Sequence, residues 1–188
     1  DYCISPRKES FFMKKTLKDA MRGADMFLGL SKPKILTDDM VKNMSAHPII
    51  FALANPVPEI MPEDVKRLRK DAIVGTGRSD YPNQINNILG FPFIFRGALD
   101  VRANKITENM KIAAANALAK LAKEPASDEL KQMYAGEVLE FGVDYVIPKP
   151  FDKRVKAAVS TAIATAAVKD GVAKLKSFDE KAYFESLS

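Results

Sequence analysis

The chain has 188 residues, a net charge of +5 and a hydrophobic fraction of 47%, which fit one ordinary domain, or a large piece of one, with a buried core. No apolar run approaches the roughly 20 residues that a membrane-spanning helix needs, so the sequence excludes a membrane span. Its lysines are interspersed with acidic residues and lack interleaved aromatics, which favours solvated helix faces over nucleic-acid binding. The single cysteine, Cys3, allows no internal disulfide; it fits a reducing compartment but does not demand one. A cytoplasmic location is expected.

Helix and strand patterns alternate over the first eighty residues. Thr37 is a good N-cap, because Asp38 and Asp39 in the turn that follows are favoured by the helix dipole. The predicted helices are Thr16–Gly23, the one beginning at Thr37, and Pro62–Lys70; the predicted strands, read as short or continuous buried apolar runs, are Asp25–Gly29, Pro48–Ala54 and Asp71–Val74. With right-handed crossovers this order predicts an α/β fold with a parallel sheet covered by helices.

After Asn87 the sequence predicts a mainly helical C-terminal portion. The helices expected there are Glu108–Ala122, Leu130–Gly142 and Lys153–Lys169, the last ending near Gly171. Val143–Pro150 is expected to be extended, because each of its prolines disfavours helix in the residue before it. No internal repeat or second domain is apparent.

One glycine-rich stretch resembles the start of a phosphate-binding loop. Gly75–Asp80 (GTGRSD) follows a predicted strand, as the start of a G-x-G-x-x-G fingerprint would. Asp80 replaces the third glycine, and Tyr81-Pro82 prevents immediate entry into a helix, whose N-terminus the phosphate needs. We therefore reject a pyrophosphate loop here. The only histidine, His47, stands before a proline and is interpreted as a boundary residue rather than a metal ligand.

The remaining chemical signal comes from amides at strand ends. Asn55 follows the apolar run FALA, and Asn86-Asn87 follow the polar loop YPNQ. A buried amide without partners costs roughly 1–3 kcal/mol, so such residues bond either the backbone or a ligand. Asn55 could equally turn the chain before its proline, and Asn86-Asn87 could cap a helix. Gly29 and Ser31 end the preceding strand, and convergence of these ends predicts a ligand crevice.

These segments resemble the cofactor-binding domain of malic enzymes, in the compact bacterial-type form. The resemblance runs from about Ala20 to the C-terminus and is strongest in ADMFLGLS, PIIFALANPVPEIMPED, GTGRSDYPNQINNILGFPFIFRGALDVRA and FGVDYVIPKPFD. It implies part of a Rossmann-like doubly wound parallel sheet, with residues 1–188 forming the C-terminal part of the NAD(P)-binding domain. The upstream catalytic domain and the glycine-rich pyrophosphate turn are then expected outside this chain.

The resemblance also implies an activity: oxidation and decarboxylation of L-malate to pyruvate and carbon dioxide, with NAD or NADP as hydride acceptor and Mg or Mn as divalent cation. By carry-over, Asn55 and Asn87 bind the malate carboxylate beside the nicotinamide, Asn86 shares or takes over the second role, and Gly29 and Ser31 flank the cofactor. The family's catalytic tyrosine and lysine and its acidic metal ligands have no counterpart here. We therefore expect this chain to be inactive by itself.

Two other hypotheses fit the same sequence. One is a dinucleotide-binding or assembly module that has lost catalysis, and the other is a different two-domain dehydrogenase. For the malic enzyme interpretation, the resemblance implies a homodimer or higher homo-oligomer acting on a small-molecule substrate, without nucleic acid or membrane partners.

Overall fold

The computed structural model describes residues 16–175 and 177–188, so Cys3 lies outside the described residues. The chain divides into two compact units, Asp1–Pro82 and Asn83–Ser188. Among the described residues, no helix is both long enough and apolar enough to cross a membrane.

The first unit contains a parallel sheet whose strands occur in chain order. Its helices are α1 (Leu17–Met21), α2 (Asp38–Lys42) and α3 (Pro62–Leu68), and its strands are β1 (Met26–Gly29), β2 (Ile49–Ala52) and β3 (Ile73–Thr76). The described sheet has the order β1-β2-β3, and both pairings are parallel. The predicted α/β alternation is confirmed, and no element end is shifted by more than two residues.

Local sequence signals begin the helices of this unit. Thr37 adopts an extended backbone conformation and its side chain accepts a hydrogen bond from the Met40 N–H, which confirms it as the N-cap of α2. Thr16 and Asp19 form a reciprocal capping box at α1. Pro62 occupies the first turn of α3, where its missing N–H leaves no helical bond unmade.

The apolar core of the first unit lies on one face of the sheet. Val41 of α2, Ile50 of β2 and Val65 of α3 are fully buried and belong to one cluster. The prediction that the first strand is a buried run is wrong, because Met26 and Leu28 are 44% and 53% exposed and alternate with buried neighbours. The second strand likewise alternates between half-buried and buried residues. This period of two shows that core residues pack on a single face of these strands.

The second unit is helical. A 3₁₀ helix, Asn87–Leu89, precedes α4 (Phe91–Asp100), α5 (Glu108–Leu121), α6 (Asp128–Met133), α7 (Arg154–Lys169) and α8 (Glu180–Leu187). The helix α7 lies at the centre of its core, where Val155, Val159 and Ile163 are fully buried. The helices α4 and α7 approach closely at Gly97, since a Cβ there would lie 2.9 Å from the Ile163 Cβ and under 3.0 Å from the Ser160 carbonyl oxygen.

Two predictions for this unit need correction. The helix expected over Leu130–Gly142 is wrong: α6 is Asp128–Met133, and the chain then passes through turns that include Gly136 at a φ of +90°. The segment Val143–Pro150 is not simply extended, because a turn at its start is closed by an antiparallel bridge between Gly142 and Tyr145. The long helices α5 and α7 lie where the sequence predicted them, within one residue.

Candidate functional site

The carboxyl ends of the three strands lie side by side. Gly29, Ala52 and Thr76 end their strands in register, so the residues that follow them leave the sheet at one edge. The Leu53 N–H donates to the Gly29 carbonyl oxygen at 3.0 Å just beyond the end of the β1–β2 ladder. In open parallel sheets, ligands bind outside the carboxyl ends of the strands. The sheet therefore supplies the edge that the sequence predicted for a binding site.

Asn55 stands at this edge with a free amide. It is exposed, precedes a cis peptide bond to Pro56, and forms no hydrogen bond with the described residues. The apolar residues before Asn55 therefore do not bury its amide. Its side chain lies against the next strand end, since a Cβ on Gly77 would be 3.5 Å from the Asn55 Oδ1 and 3.6 Å from its Nδ2. The Asn55 amide thus lies against the residue that follows β3, and its polar atoms remain available to a ligand.

A buried carboxylate joins the ends of β1 and β2. Glu59 is 0% exposed; its Oε1 accepts from the Ser31 N–H at 3.0 Å and its Oε2 accepts from the Ala54 N–H at 3.1 Å. A Cβ on Gly29 would lie 2.6 Å from the Glu59 Oε1 and 2.8 Å from its Cγ. The missing side chain of Gly29 therefore makes room for Glu59. Sequence reasoning gave Glu59 no role, although an acid inside the apolar segment PVPEI must find polar partners.

The loop after β3 is held by its own polar contacts. Arg78 binds both carboxylate oxygens of Asp80, at 2.9 and 2.6 Å, and lies 5.3 Å from the centre of the Tyr81 ring. The Tyr81 hydroxyl donates to Glu63 at 2.8 Å, and this hydrogen bond is the main cause that raises the pKa of Tyr81. Hydrogen bonding from Arg78 lowers the pKa of Asp80. The chain does not enter a helix directly after β3, as Tyr81-Pro82 led us to expect.

Asn86 and Asn87 belong to the second unit and begin its 3₁₀ helix, rather than ending a strand. The Asn86 Oδ1 accepts from the Ile88 N–H at 3.1 Å, which confirms the helix-capping alternative for Asn86. Asn87 is exposed, and its amide forms no hydrogen bond with the described residues. Asn87 is therefore the member of this pair whose whole amide is free for a ligand.

A buried asparagine anchors the segment that leads to this pair. Asn83 is 3% exposed and has a φ of +51°, in the left-handed region that asparagine tolerates. Its Nδ2 donates to the Val143 carbonyl oxygen at 2.9 Å, and its Oδ1 accepts from the Val146 N–H at 2.8 Å. These two bonds fasten the start of the second unit to the chain some sixty positions later. Sequence reasoning missed this role, because the partners are backbone groups far away in sequence.

The described residues do not assemble a metal centre. No group of three or more histidine, cysteine, aspartate or glutamate side chains among them could hold an ion. His47 has a φ of +53°, and its backbone N–H donates to Asp71 at 2.7 Å, as fits a residue at the boundary between α2 and β2. A divalent cation therefore does not fit the donor sets that this part of the chain presents.

Comparison with known proteins places the chain among enzymes of one kind. Residues 7–135 match the family described as "Malic enzyme, NAD binding domain". An NADP-dependent malic enzyme of Rhizobium meliloti (strain 1021) is 57% identical over 175 residues, which cover 93% of this chain and 23% of the relative. An NAD-dependent malic enzyme of the same organism is 49% identical over 174 residues, again 93% of this chain and 23% of the relative.

A solved structure agrees with these sequence matches. The crystal structure of malic enzyme from Pyrococcus horikoshii Ot3 superposes with a TM-score of 0.77 at 42% sequence identity, over 90% of this chain and 36% of that chain. The superposition covers most of this chain and supports the Rossmann-like fold. The chain spans about a quarter of the length of the two curated relatives.

Proposed function

Since this chain belongs to the malic enzyme family through its NAD-binding domain, we propose that the complete protein oxidatively decarboxylates L-malate to pyruvate and carbon dioxide, reducing NAD or NADP. The identity of 57% over 93% of the chain carries the proposal. The register of three parallel strand ends, with a free asparagine amide at their edge, supports it from the geometry. Both NADP-dependent and NAD-dependent relatives match, so either nucleotide is proposed.

Asn55 and Asn87 are the proposed substrate-binding residues, next to the nicotinamide. Both side chains are exposed, and neither amide is engaged by the described residues. A neutral amide donates N–H bonds to a carboxylate without adding a charge that would compete with a cation for the substrate. Asn86 is proposed to contribute its amide N–H groups, because its oxygen caps the 3₁₀ helix.

Ser31 and Gly29 are the proposed cofactor contacts in the first unit. The Ser31 side chain is exposed and its hydroxyl forms no hydrogen bond with the described residues, which leaves it free for the nucleotide. Gly29 is buried beside Glu59, so its contribution is proposed through the backbone. When bound, the nicotinamide supplies the hydride acceptor. The residues of this chain are proposed to bind and orient the nucleotide and the substrate.

Acid–base chemistry and metal binding are proposed to come from protein outside this chain. Tyr81 is a poor candidate for a general base, because its hydroxyl is committed to Glu63 and its pKa is raised. The described residues also offer no cluster for a divalent cation. The chain alone is therefore expected to show no malate oxidation.

The decisive assay measures nucleotide reduction by the complete protein. With Mg²⁺ or Mn²⁺, malate is expected to support the reduction of NAD or NADP, whereas lactate and glutamate are not. Equal rates on the three substrates would overturn the proposal. Nucleotide binding without any turnover of malate would instead support a dinucleotide-binding module that has lost catalysis.

Substitution of the amides tests the proposed roles. Asn55→Ala and Asn87→Ala are each expected to lower kcat/KM for malate at least about tenfold, since a hydrogen bond to a charged group is worth roughly 1.5–3 kcal/mol. Asn104→Ala is the matched control, because Asn104 is also an exposed amide and has no proposed role. Asn86→Ser keeps a capping oxygen and removes the amide. Unchanged kinetics in any of the three tested positions would remove that residue from the site.

The partners and location of the complete protein are proposals of the same kind. We propose a homodimer or larger homo-oligomer in the cytoplasm, with small molecules rather than nucleic acid or membranes as partners. Mixed charges on the helices, as in the pairs Lys18–Asp39 and Arg67–Asp64, argue against a nucleic-acid partner. Sedimentation of the complete protein, with and without DNA, measures the oligomeric state and the nucleic-acid binding together.

A further inference from the structure

We propose that Glu59 is a positioning residue that fixes the carboxyl ends of β1 and β2, and so sets the placement of Ser31 and Asn55. The inference rests on the proposed function, because those two residues are its proposed cofactor and substrate contacts. It adds a residue for which neither the family resemblance nor the comparisons give a role.

The Glu59 carboxylate accepts hydrogen bonds from the backbone just beyond the end of the β1–β2 ladder. Gly29 pairs with Ala52 at the end of the ladder, and Ser31 and Ala54 each lie two residues further along their strands. The N–H groups of Ser31 and Ala54 both donate to the Glu59 carboxylate, one to each oxygen. The side chain thus bridges the two strand ends. Because Ala54 immediately precedes Asn55, one carboxylate fixes the backbone at Ser31 and next to Asn55.

The burial of Glu59 makes this arrangement specific. The side chain is fully buried, and the hydrogen-bond partners recorded for its carboxylate in the described chain are the two backbone N–H groups. A buried carboxylate is stable only when its oxygens are hydrogen-bonded. Loss of either oxygen as an acceptor would leave a backbone N–H without its partner and free that strand end to move.

Two further contacts hold Glu59 itself in place. Its backbone carbonyl oxygen accepts from the Leu36 N–H at 3.1 Å, and the neighbouring Pro58 carbonyl oxygen accepts from the Lys34 N–H at 3.1 Å. On its other side the carboxyl group lies directly over Gly29, where any Cβ would collide with it. Any residue other than glycine at position 29 would therefore displace the Glu59 carboxyl group.

The first test changes the acceptor and keeps the volume. In the complete enzyme, Glu59→Gln keeps one acceptor oxygen and turns an NH₂ group toward the other backbone N–H. We expect KM for malate and the dissociation constant for reduced nucleotide to rise at least about tenfold per folded molecule. The control Asp64→Asn also removes a carboxylate from the first unit, at an exposed site on α3, and is expected to match the wild type.

The second test moves the carboxylate without removing it. Gly29→Ala forces Glu59 away from its two N–H donors and is expected to raise the same two constants. Adding Glu59→Ala to Gly29→Ala removes the collision, so the double variant is expected to be less impaired than the product of the two single effects. If Glu59→Gln does not fold, the comparison of Gly29→Ala with the double variant decides. Gly29 is itself a proposed cofactor contact, so only recovery of binding on removal of the Glu59 side chain assigns the loss to the position of the carboxylate.

The outcomes separate this inference from the proposed function. Wild-type malate oxidation, together with unchanged constants in both Glu59→Gln and Gly29→Ala, would overturn the positioning role and leave the function intact. A loss of folded protein with unchanged KM in the surviving molecules would also overturn it, because that is the result of a purely structural role. If the wild type does not oxidise malate, nucleotide binding by the same variants still decides the role of Glu59.

Discussion

The substitution Gly97→Ala tests how tightly the helices of the second unit are packed. A Cβ at position 97 would lie 2.9 Å from the Ile163 Cβ and under 3.0 Å from the Ser160 carbonyl oxygen, whereas ordinary contacts begin at 3.4 Å. The helices α4 and α7 would have to separate by about 0.5 Å for Ile163 alone, and by more for the oxygen. The Ser160 carbonyl oxygen belongs to the backbone and cannot rotate away from the new Cβ as the end of a flexible side chain can. The strain therefore falls on the whole helix pair.

The expected magnitude is the difference between two opposed effects. Overpacking of this kind costs about 1–3 kcal/mol, and we take the upper end because a carbonyl oxygen is one of the obstacles. Replacing glycine by alanine inside a helix returns about 1 kcal/mol through helix propensity. The net loss is about 2 kcal/mol, which corresponds to a fall in Tm of about 10 °C for a unit of this size.

The assay is thermal and urea unfolding followed by circular dichroism, on the complete protein and on this chain. Gly90→Ala is the matched control, because Gly90 is the N-cap of the same helix, has a negative φ, and would place its Cβ at an ordinary 3.5 Å from Ile94. That variant is expected to lose at most about 1 kcal/mol, because glycine is preferred to alanine at an N-cap but the added Cβ meets only ordinary contacts. If Gly97→Ala gains the stability expected from helix propensity, the close approach of α4 and α7 is refuted.

Two other predictions concern the second unit. Burial, followed by a hydrogen bond to Asp100, raises the pKa of Tyr183, so the stability this residue contributes is complete below a pH of about 10 and is lost as the pH rises further. Tyr183→Phe should flatten the alkaline part of the stability curve, measured by urea unfolding across pH; an unaltered curve would exclude Tyr183 as its source. Asn83→Ala should destabilise the unit by about 1–3 kcal/mol, because it leaves the Val143 and Val146 backbone groups without their partner. Asn83→Gly permits the positive φ but not the bonds, so equal stability of Asn83→Gly and the wild type in the same assay would show that only the backbone conformation matters.

The alternation of the first unit could be predicted because its signals are local. The apolar run before Asn55 is too short for a helix, and a threonine cap or an early proline marks where α2 and α3 begin. The exposed face of β1 could not be predicted in this way. Met26 and Leu28 are as apolar as buried residues, and their exposure depends on what packs against the sheet.

Two helices of the second unit were missed for different reasons. No helix was predicted over the segment of α4, FPFIFRGALD, although Pro92 in the first turn is typical of a helix start. The helix α8 begins at Asp179, whose side chain caps it by accepting from the Ala182 N–H. A local sequence signal for α8 was therefore present, although no helix was predicted after Gly171.

The candidate site was predictable in its residue types and not in its contacts. Asn55 could be singled out because an amide stands beside an apolar run, yet its exposure and its position against Gly77 depend on the neighbouring strand. Asn86 and Asn87 could not be told apart from the sequence. The structure separates them, since one amide oxygen caps a helix and the other amide is free.

The backbone and the side chain at Asn55 differ in freedom, and this has a consequence for ligand affinity. The backbone N–H of Ala54, which precedes Asn55, donates to Glu59, whereas the side-chain amide of Asn55 has no partner among the described residues. Ordering a backbone residue costs about 1–2 kcal/mol, but immobilising one side chain costs only about 0.5–1.5 kcal/mol. A ligand that binds here meets a main chain whose entropy was already lost on folding. The remaining entropic cost at this position is the rotation of a single amide.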